Sequence, residues 1–401
     1  MKILQLLKSS LILTGSDLKP LEDAAVLISK EGEIVKCGRQ QELEIPDGTE
    51  VIDHSGKIIM PGLIDAHVHL CLKPVADPFE ILLEESPGRT AIRAVEHARK
   101  TLKAGVTTVR DMSGKDYVDL DLRDAVAEGN IVGPRILASG KNLAMTGGHG
   151  WPTAEEVDGP AQARRGARKQ IKEGADQIKI MATGGVMTEG VQPGAPQMTE
   201  DEMRAAIEEA HKADRKTAAH AQGTEGIKNA LRAGIDSIEH GIFLDEKSIK
   251  LMKENEVFLV PTLAAPHWIS EKGSEAGIPE YAVKKSDDII EDHQQSFQAA
   301  YQAGVKIALG TDAGTPFNEH GKNTKELKLM VENGMTPQEA LTAATSRGAE
   351  LLGISAETGS IEPGCQADLL VLEKNPLEDI ENIETLERIY LQGSEIIPGT
   401  V

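Results

Sequence analysis

The sequence predicts an α/β protein: a (β/α)8 TIM-like barrel with a small β-sandwich domain built from both termini. Three observations predict it. Eight short apolar runs in the middle of the chain are each followed by a helix-like stretch. These units occupy about 280 residues, the span of a closed ring of eight βα units. Both ends of the chain carry short β-type runs instead, and aromatic residues make up only 3%. The core is therefore aliphatic, as a parallel barrel filled by Val, Ile, Leu and Ala requires. The division that follows is 1–58 and 355–401 for the β domain and 59–354 for the barrel.

The first run, MKILQLLKSSLILTG, is split by Lys8 and no small-residue cleavage site follows it. It reads as a strand pair rather than a targeting segment. AAVLISK and EIVKCG flank Glu31-Gly32, a hairpin signal. EVIDHSGKIIMPG repeats the pattern, and GSIEPGCQADLLVLEKNP reads as strands again. The barrel strands are expected at 62–69, 106–111, 135–139, 177–182, 217–220, 237–240, 257–261 and 306–312. Helical patterns such as RTAIRAVEHARKTLKAG, PAQARRGARKQIKEG and TEDEMRAAIEEAHKADR separate them. Thr199 stands three residues before Glu202, a capping-box signature. Gly105, Gly174, Gly234 and Gly304 stand where helices stop and a left-handed residue is wanted. An open doubly wound sheet is the competing architecture, but no GxGxxG follows the first barrel strand.

Composition bounds the partners. Lys+Arg is 43 and Asp+Glu is 64, a net charge of −21 over 401 residues. Such a surface repels phosphate backbones and anionic membranes, so neither nucleic acid nor membrane is an expected partner. No apolar run reaches the roughly 18 residues of a membrane-spanning helix. Cys37, Cys71 and Cys365 are odd in number and far apart. They form no disulfide framework and no CxxC zinc pattern, which points to a reducing, cytoplasmic setting.

His67 and His69 lie in LIDAHVHL at the end of the first barrel strand. Residues i and i+2 of a strand share a side, so both imidazoles can meet one cation at the barrel mouth. His220 ends the fifth run, His240 the sixth, and Asp312 the eighth. Unpaired buried imidazoles and a carboxylate are costly, whereas a cation satisfies them together. The donor set suits zinc, and also nickel, manganese or iron. Lys179 lies inside the apolar run QIKIMAT, an unusual place for an ammonium unless a barrel carboxylate pairs with it.

Taken together, this pattern resembles the amidohydrolase superfamily. PGLIDAHVH, TTVRD, IEHG, GTDAG and GSIEPGCQADLLVL all look like it, over almost the whole chain. The resemblance implies a binuclear centre of two divalent ions, zinc foremost. His67 and His69 would hold the first ion with Asp312, and His220 and His240 the second. Lys179, carboxylated by CO2, would bridge them as a carbamate. TGGHG, ATGGVMT and GTDAGTPFNEHG are similar to the loops of bacterial Xaa-Pro dipeptidases and Xaa-Arg carboxypeptidases, an imidazolonepropionase-related branch. Imidazolonepropionases themselves bind one metal without a carboxylated Lys, so Lys179 speaks against that activity. The implied reaction is hydrolysis of an amide bond in a dipeptide or N-acyl amino acid, with Asp312 as base and then acid. The alternatives are a lactone, a cyclic amide or an ochratoxin-type amide. A non-catalytic scaffold of the dihydropyrimidinase-like kind would lack the ligands. The relatives also imply a homo-oligomer.

Substrate contacts are expected from the loops. His149, freed by Gly147, Gly148 and Gly150, can reach the scissile carbonyl. Gly184 and Gly185 would let substrate approach the backbone, or else form a tight βα turn. Arg110 could clamp a substrate carboxylate, or pair internally with Asp111. His320 and Lys322 on the last loop are further candidates, with solvated loop positions as the alternative. Cys71 continues the His67, His69 series but is expected to lie beyond the strand end. His54, His97, His211, His267 and His293 read as surface or packing residues.

Overall fold

Long alternating runs near the N-terminus form extended strands, and the turn between two of them needs Gly32, whose φ is +89°. The computed structural model describes residues 4–396. Its first strands are β1 Gln5–Thr14, β2 Lys19–Ile28, β3 Ile34–Arg39 and β4 Glu50–Pro61. From the middle come β5 Leu63–Val68, β6 Val106–Asp111, β7 Arg135–Ala138, β8 Asn142–Ala144, β9 Ala154–Glu156 and β10 Gln177–Met181. β11 Lys216–Ala221, β12 Ser237–His240 and β13 Phe258–Val260 follow, and β14 Leu369–Leu372, β15 Leu386–Leu391 and β16 Ser394–Ile396 close the order.

The two ends combine into one seven-stranded sheet, β16-β15-β14-β4-β1-β2-β3. The strands of the expected β domain are thus linked by one continuous hydrogen-bonded order. β14 joins it antiparallel to β4, with Leu370 opposite Met60. Leu7, Val26, Ile59, Val371 and Tyr390 share one buried cluster, so residues from both ends close the same core. β4 continues through Pro61, carrying the sheet directly into β5 after Gly62.

The middle of the chain is parallel and helix-covered. β5-β6-β7 form one sheet, and β13-β12-β11-β10-β8-β9 another. Every residue of β5, β6, β10 and β12 is buried, as strands covered on both faces must be. Two expectations need correction. The third strand is interrupted: β7 pairs β6, whereas β8 pairs β10 through Ile180 and Leu143. Gly140 between them has φ +63°, which breaks the ladder. The last expected strand, 306–312, is not a regular strand. It still bonds on both sides, Leu259 N–H to Lys306 O at 2.9 Å and Ala66 N–H to Leu309 O at 2.8 Å. Positive φ at Asp312 (+60°) and, beyond it, at Gly314 (+108°) turns the chain at its end.

Helices sit between the strands, and their ends follow local chemistry. Thr199 caps the helix Glu200–Lys212, accepting from Glu202 N–H while Glu202 reaches back to the Thr199 N–H. Gly174, Gly234 and Gly304 each terminate a helix in the left-handed region. No helix among the described residues is long and apolar enough to cross a membrane.

Candidate active site

Five imidazoles, a carboxylate and an amine meet at the C-terminal ends of the parallel strands. β5 carries His67 and is followed directly by His69, β10 carries Lys179, β11 His220 and β12 His240. Asp312 arrives from the closing segment, held by its N–H to His67 O at 2.7 Å. His67, His69 and Asp312 offer donor atoms that all lie within 4.8 Å of one another. Asp312 Oδ1 is 3.2 Å from His69 Nε2 and 3.4 Å from His67 Nε2. The His240 ring centroid lies 5.2 Å from that of His67 and 4.5 Å from that of His220, and the His149 ring lies 4.2 Å from that of His220, tilted by 35°. All seven line one cavity of about 840 Å³.

Backbone strain is concentrated here. His240 has φ +71°, Thr262 +53° and Asp312 +60°. Non-glycine residues in this region cost about 1–3 kcal/mol each and persist only where surrounding contacts over-determine them. At His240 the contacts are visible: Nδ1 bonds Thr262 Oγ1 at 2.7 Å, and the His293 ring donates to the His240 carbonyl at 3.0 Å. Consecutive strand residues normally face opposite sides. The left-handed turn at His240 brings its ring beside His67, although Glu239 also reaches His67.

Burial governs the charges. It lowers the Lys179 ammonium to about 8; Glu239 and Asp312 oppose that shift and Arg110 adds to it. Among the described residues Lys179 Nζ has no hydrogen-bond partner. Burial pushes Asp312 up, but His67, His69 and Lys179 outweigh it and hold the carboxyl below its ordinary value. Burial, with Lys179 and His69 beside it, lowers His149 to about 3, so its imidazole is neutral at pH 7. A converging set of buried imidazole nitrogens and a carboxylate is what a cationic centre would satisfy, and the donor types fit divalent ions of the zinc class.

Several expected substrate contacts lie elsewhere. Arg110 neither lines the cavity nor pairs with Asp111. It is buried and donates to Glu239 Oε1 at 2.9 Å, Ala66 O at 2.6 Å and Ser237 Oγ at 3.2 Å. The reason is register: β6 and β12 present Arg110 and Glu239 to the same interior. His320 is neither solvated nor over the cavity. It stacks on His97 with centroids 4.3 Å apart and donates to His69 O at 3.2 Å. Lys322 is exposed and pairs with Glu319. Gly184 and Gly185 do not line the cavity. A Cβ on Gly185 would fall 2.5 Å from His149 Cε1, so the group that approaches this backbone is the protein's own imidazole. Gly185→Ala should therefore displace His149 and lower kcat/KM by about tenfold or more, the scale of a misplaced group in an active site. Steady-state kinetics beside a melting curve checks this; an unchanged kcat/KM would show that His149 is not positioned by this contact.

Three contributing residues were not singled out from the sequence. Glu239 accepts from His67 Nδ1 at 2.7 Å and so fixes which ring nitrogen faces the cavity. Its signal was a carboxylate inside an expected barrel strand, 237–240, an oddity like that of Lys179. Asp65 accepts from the His67 and Thr311 N–H groups at 3.1 and 3.0 Å, tying β5 to the closing segment. His293, read as packing, does line the cavity. The upper wall is apolar: Leu72, Phe79, Val186, Met187, Ile242 and Ile269 are among its residues.

Comparison with known proteins agrees with this geometry. The amidohydrolase family profile matches residues 58–393. An ochratoxinase from Aspergillus niger is 33% identical over 401 residues, covering 92% of this chain and 81% of that protein. The crystal structure of a Xaa-Pro dipeptidase with methionine bound in its active site superposes with a TM-score of 0.91 at 35% identity, over 98% of this chain and 100% of that one. An imidazolonepropionase from Fusobacterium nucleatum is 24% identical over 397 residues, 89% of this chain and 87% of that protein.

Proposed function

This chain belongs to the amidohydrolase family and is a hydrolase of carbon–nitrogen bonds; we propose that it cleaves the amide of an N-acyl amino acid or dipeptide with an apolar acyl side. The observation that carries this reading is the cavity itself, with polar, metal-competent side chains at its base and an apolar wall above them. In the same reading the parallel strands and the 306–312 segment close a (β/α)8 barrel spanning 59–354, with 1–58 and 355–401 forming the β domain. The protein acts on small molecules rather than nucleic acid, as a cytoplasmic homo-oligomer. Three free cysteines are consistent with that setting.

His67, His69 and Asp312 would hold one divalent ion and His220 and His240 a second, with zinc the foremost choice. Lys179 would join them as a carbamate: the neutral amine forms an N–C bond to CO2, a C=O electron pair moves to oxygen, and one proton leaves nitrogen. With its pKa brought down to about 8 by burial, roughly a tenth of the amine is unprotonated at pH 7 and carries the free lone pair this step needs, far more than for an ordinary lysine. When bound, such ions acidify water and polarise a carbonyl. The chain's own groups do the rest. The Asp312 carboxylate takes the proton of the attacking water and returns it to the amide nitrogen as the C–N bond breaks. His149 Nδ1 is bonded to Thr188 Oγ1 at 2.6 Å. Its Nε2 is then the nitrogen that donates to the carbonyl oxygen.

The apolar wall favours an ochratoxin-type amide over a small polar dipeptide. Of the expected carboxylate anchors Arg110, His149, His320 and Lys322, only His149 lines the cavity. Each buried methylene is worth about 0.8 kcal/mol. An N-aroyl amino acid should therefore exceed glycylglycine in kcat/KM by at least about tenfold, or 1.4 kcal/mol. Kinetics of zinc-loaded protein, with chelator-treated protein as blank, tests both parts. Preference for glycylglycine would overturn the substrate reading, and full turnover at zero metal content would overturn the metal reading.

A further inference from the structure

A second cavity, of about 870 Å³, lies outside the catalytic one. The helices Ala264–Lys272 and Thr324–Glu332, the end of the helix Pro87–Lys103 and the C-terminal sheet contribute its walls. Its lining includes Lys103, Lys322, Lys325, Lys328, Trp268 and Glu384. Four ammonium groups around one space repel one another, and they stand out on a chain of net charge −21.

The local carboxylates answer only half of them. Lys328 Nζ is 2.9 Å from Glu384 Oε1 and 3.4 Å from Glu381 Oε1, and Lys322 Nζ is 3.1 Å from Glu319 Oε1. Among the described residues Lys103 and Lys325 make no ion pair. The Trp268 ring forms part of the same wall, with Lys322 Nζ 5.4 Å from its centroid. Two unanswered cations line the same space, which calls for a ligand with several acceptor oxygens and at least two negative charges.

We infer that this cavity binds a small phosphate-class oxyanion of charge −2 or greater. Lysine ammoniums are point-like donors suited to phosphate oxygens. Hydrogen bonds join the segment carrying its lysines to elements that bear the catalytic residues. Asn323, between two of its lining residues, donates to Asp65 Oδ2 at 2.7 Å. Glu326, on the same helix as Lys325 and Lys328, accepts from the Leu263 and Ala264 N–H groups at 2.8 and 2.7 Å, beside Thr262.

Isothermal titration of pyrophosphate into the metal-loaded protein, in parallel with a Lys103→Ala/Lys325→Ala variant, tests the inference. Both substitutions lie outside the catalytic machinery, so kcat/KM and metal content should match the unaltered protein. A saturable binding event should appear in the unaltered protein, weaken with added sodium chloride, and lose at least about tenfold in affinity in the variant. Pyrophosphate held only at the metal centre would give matching isotherms in the two proteins. That result, a smaller loss, or no saturable binding at all would overturn the assignment.

Discussion

Asp312→Asn lowers kcat for amide hydrolysis by at least about 10²-fold, the usual scale for loss of an acid–base group, while the protein stays folded. The expectation rests on what the carboxylate touches. Its Oδ1 contacts only the two imidazoles of His67 and His69, so no backbone donor depends on its charge. The segment around it is held by its main chain instead, through Asp312 N–H to His67 O and Thr315 Oγ1 to Asp312 O at 2.7 Å. Asparagine has the same shape and tolerates the left-handed backbone at this position. What it lacks is the capacity to take a proton from water and release it to nitrogen. A thermal melt and a metal assay accompany the kinetics. A folded, metal-replete Asn variant with near-native kcat would require a different base.

Lys179→Ala is expected to reduce activity to background and to release bound metal, with little difference in melting temperature when both proteins are compared metal-free. The buried Nζ has no hydrogen-bond partner among the described residues, so its removal breaks no polar contact there, and a desolvated ammonium is itself unfavourable. The truncation leaves room for a small ligand, and added acetate should restore part of both metal content and activity by supplying the lost oxygens. An electron-density map showing an unmodified ammonium in a fully active, two-metal enzyme would refute the carbamate.

Much of the site was legible because it depends on local periodicity. His67 and His69 are two residues apart at a strand end, and His220, His240 and Lys179 stand in short apolar runs that become β11, β12 and β10. A polar residue inside such a run is visible without knowing its neighbours. The same logic applied to Glu239 in SIEH, whose adjacent histidine drew attention first. His293 was less visible. On the 24-residue helix Glu280–Ala303 it occupies a buried position like its packing neighbours, and nothing local marks that this face meets a cavity.

Sequence by itself determined the parallel middle, the β-rich ends, the helix stops and the set of metal-competent side chains. Those features follow from period, capping and turn chemistry within a few residues of one another. Only the tertiary structure decided which partner each charged or aromatic group took. Arg110 pairs with Glu239, 129 positions away, instead of with adjacent Asp111. His320 stacks on His97 rather than closing over substrate, and Gly185 receives the ring of His149. The physical reason is that a long side chain pairs with whatever strand register and helix packing bring within about 3 Å in a desolvated interior. That proximity is a property of the assembled strands and helices, and no period in the chain encodes it.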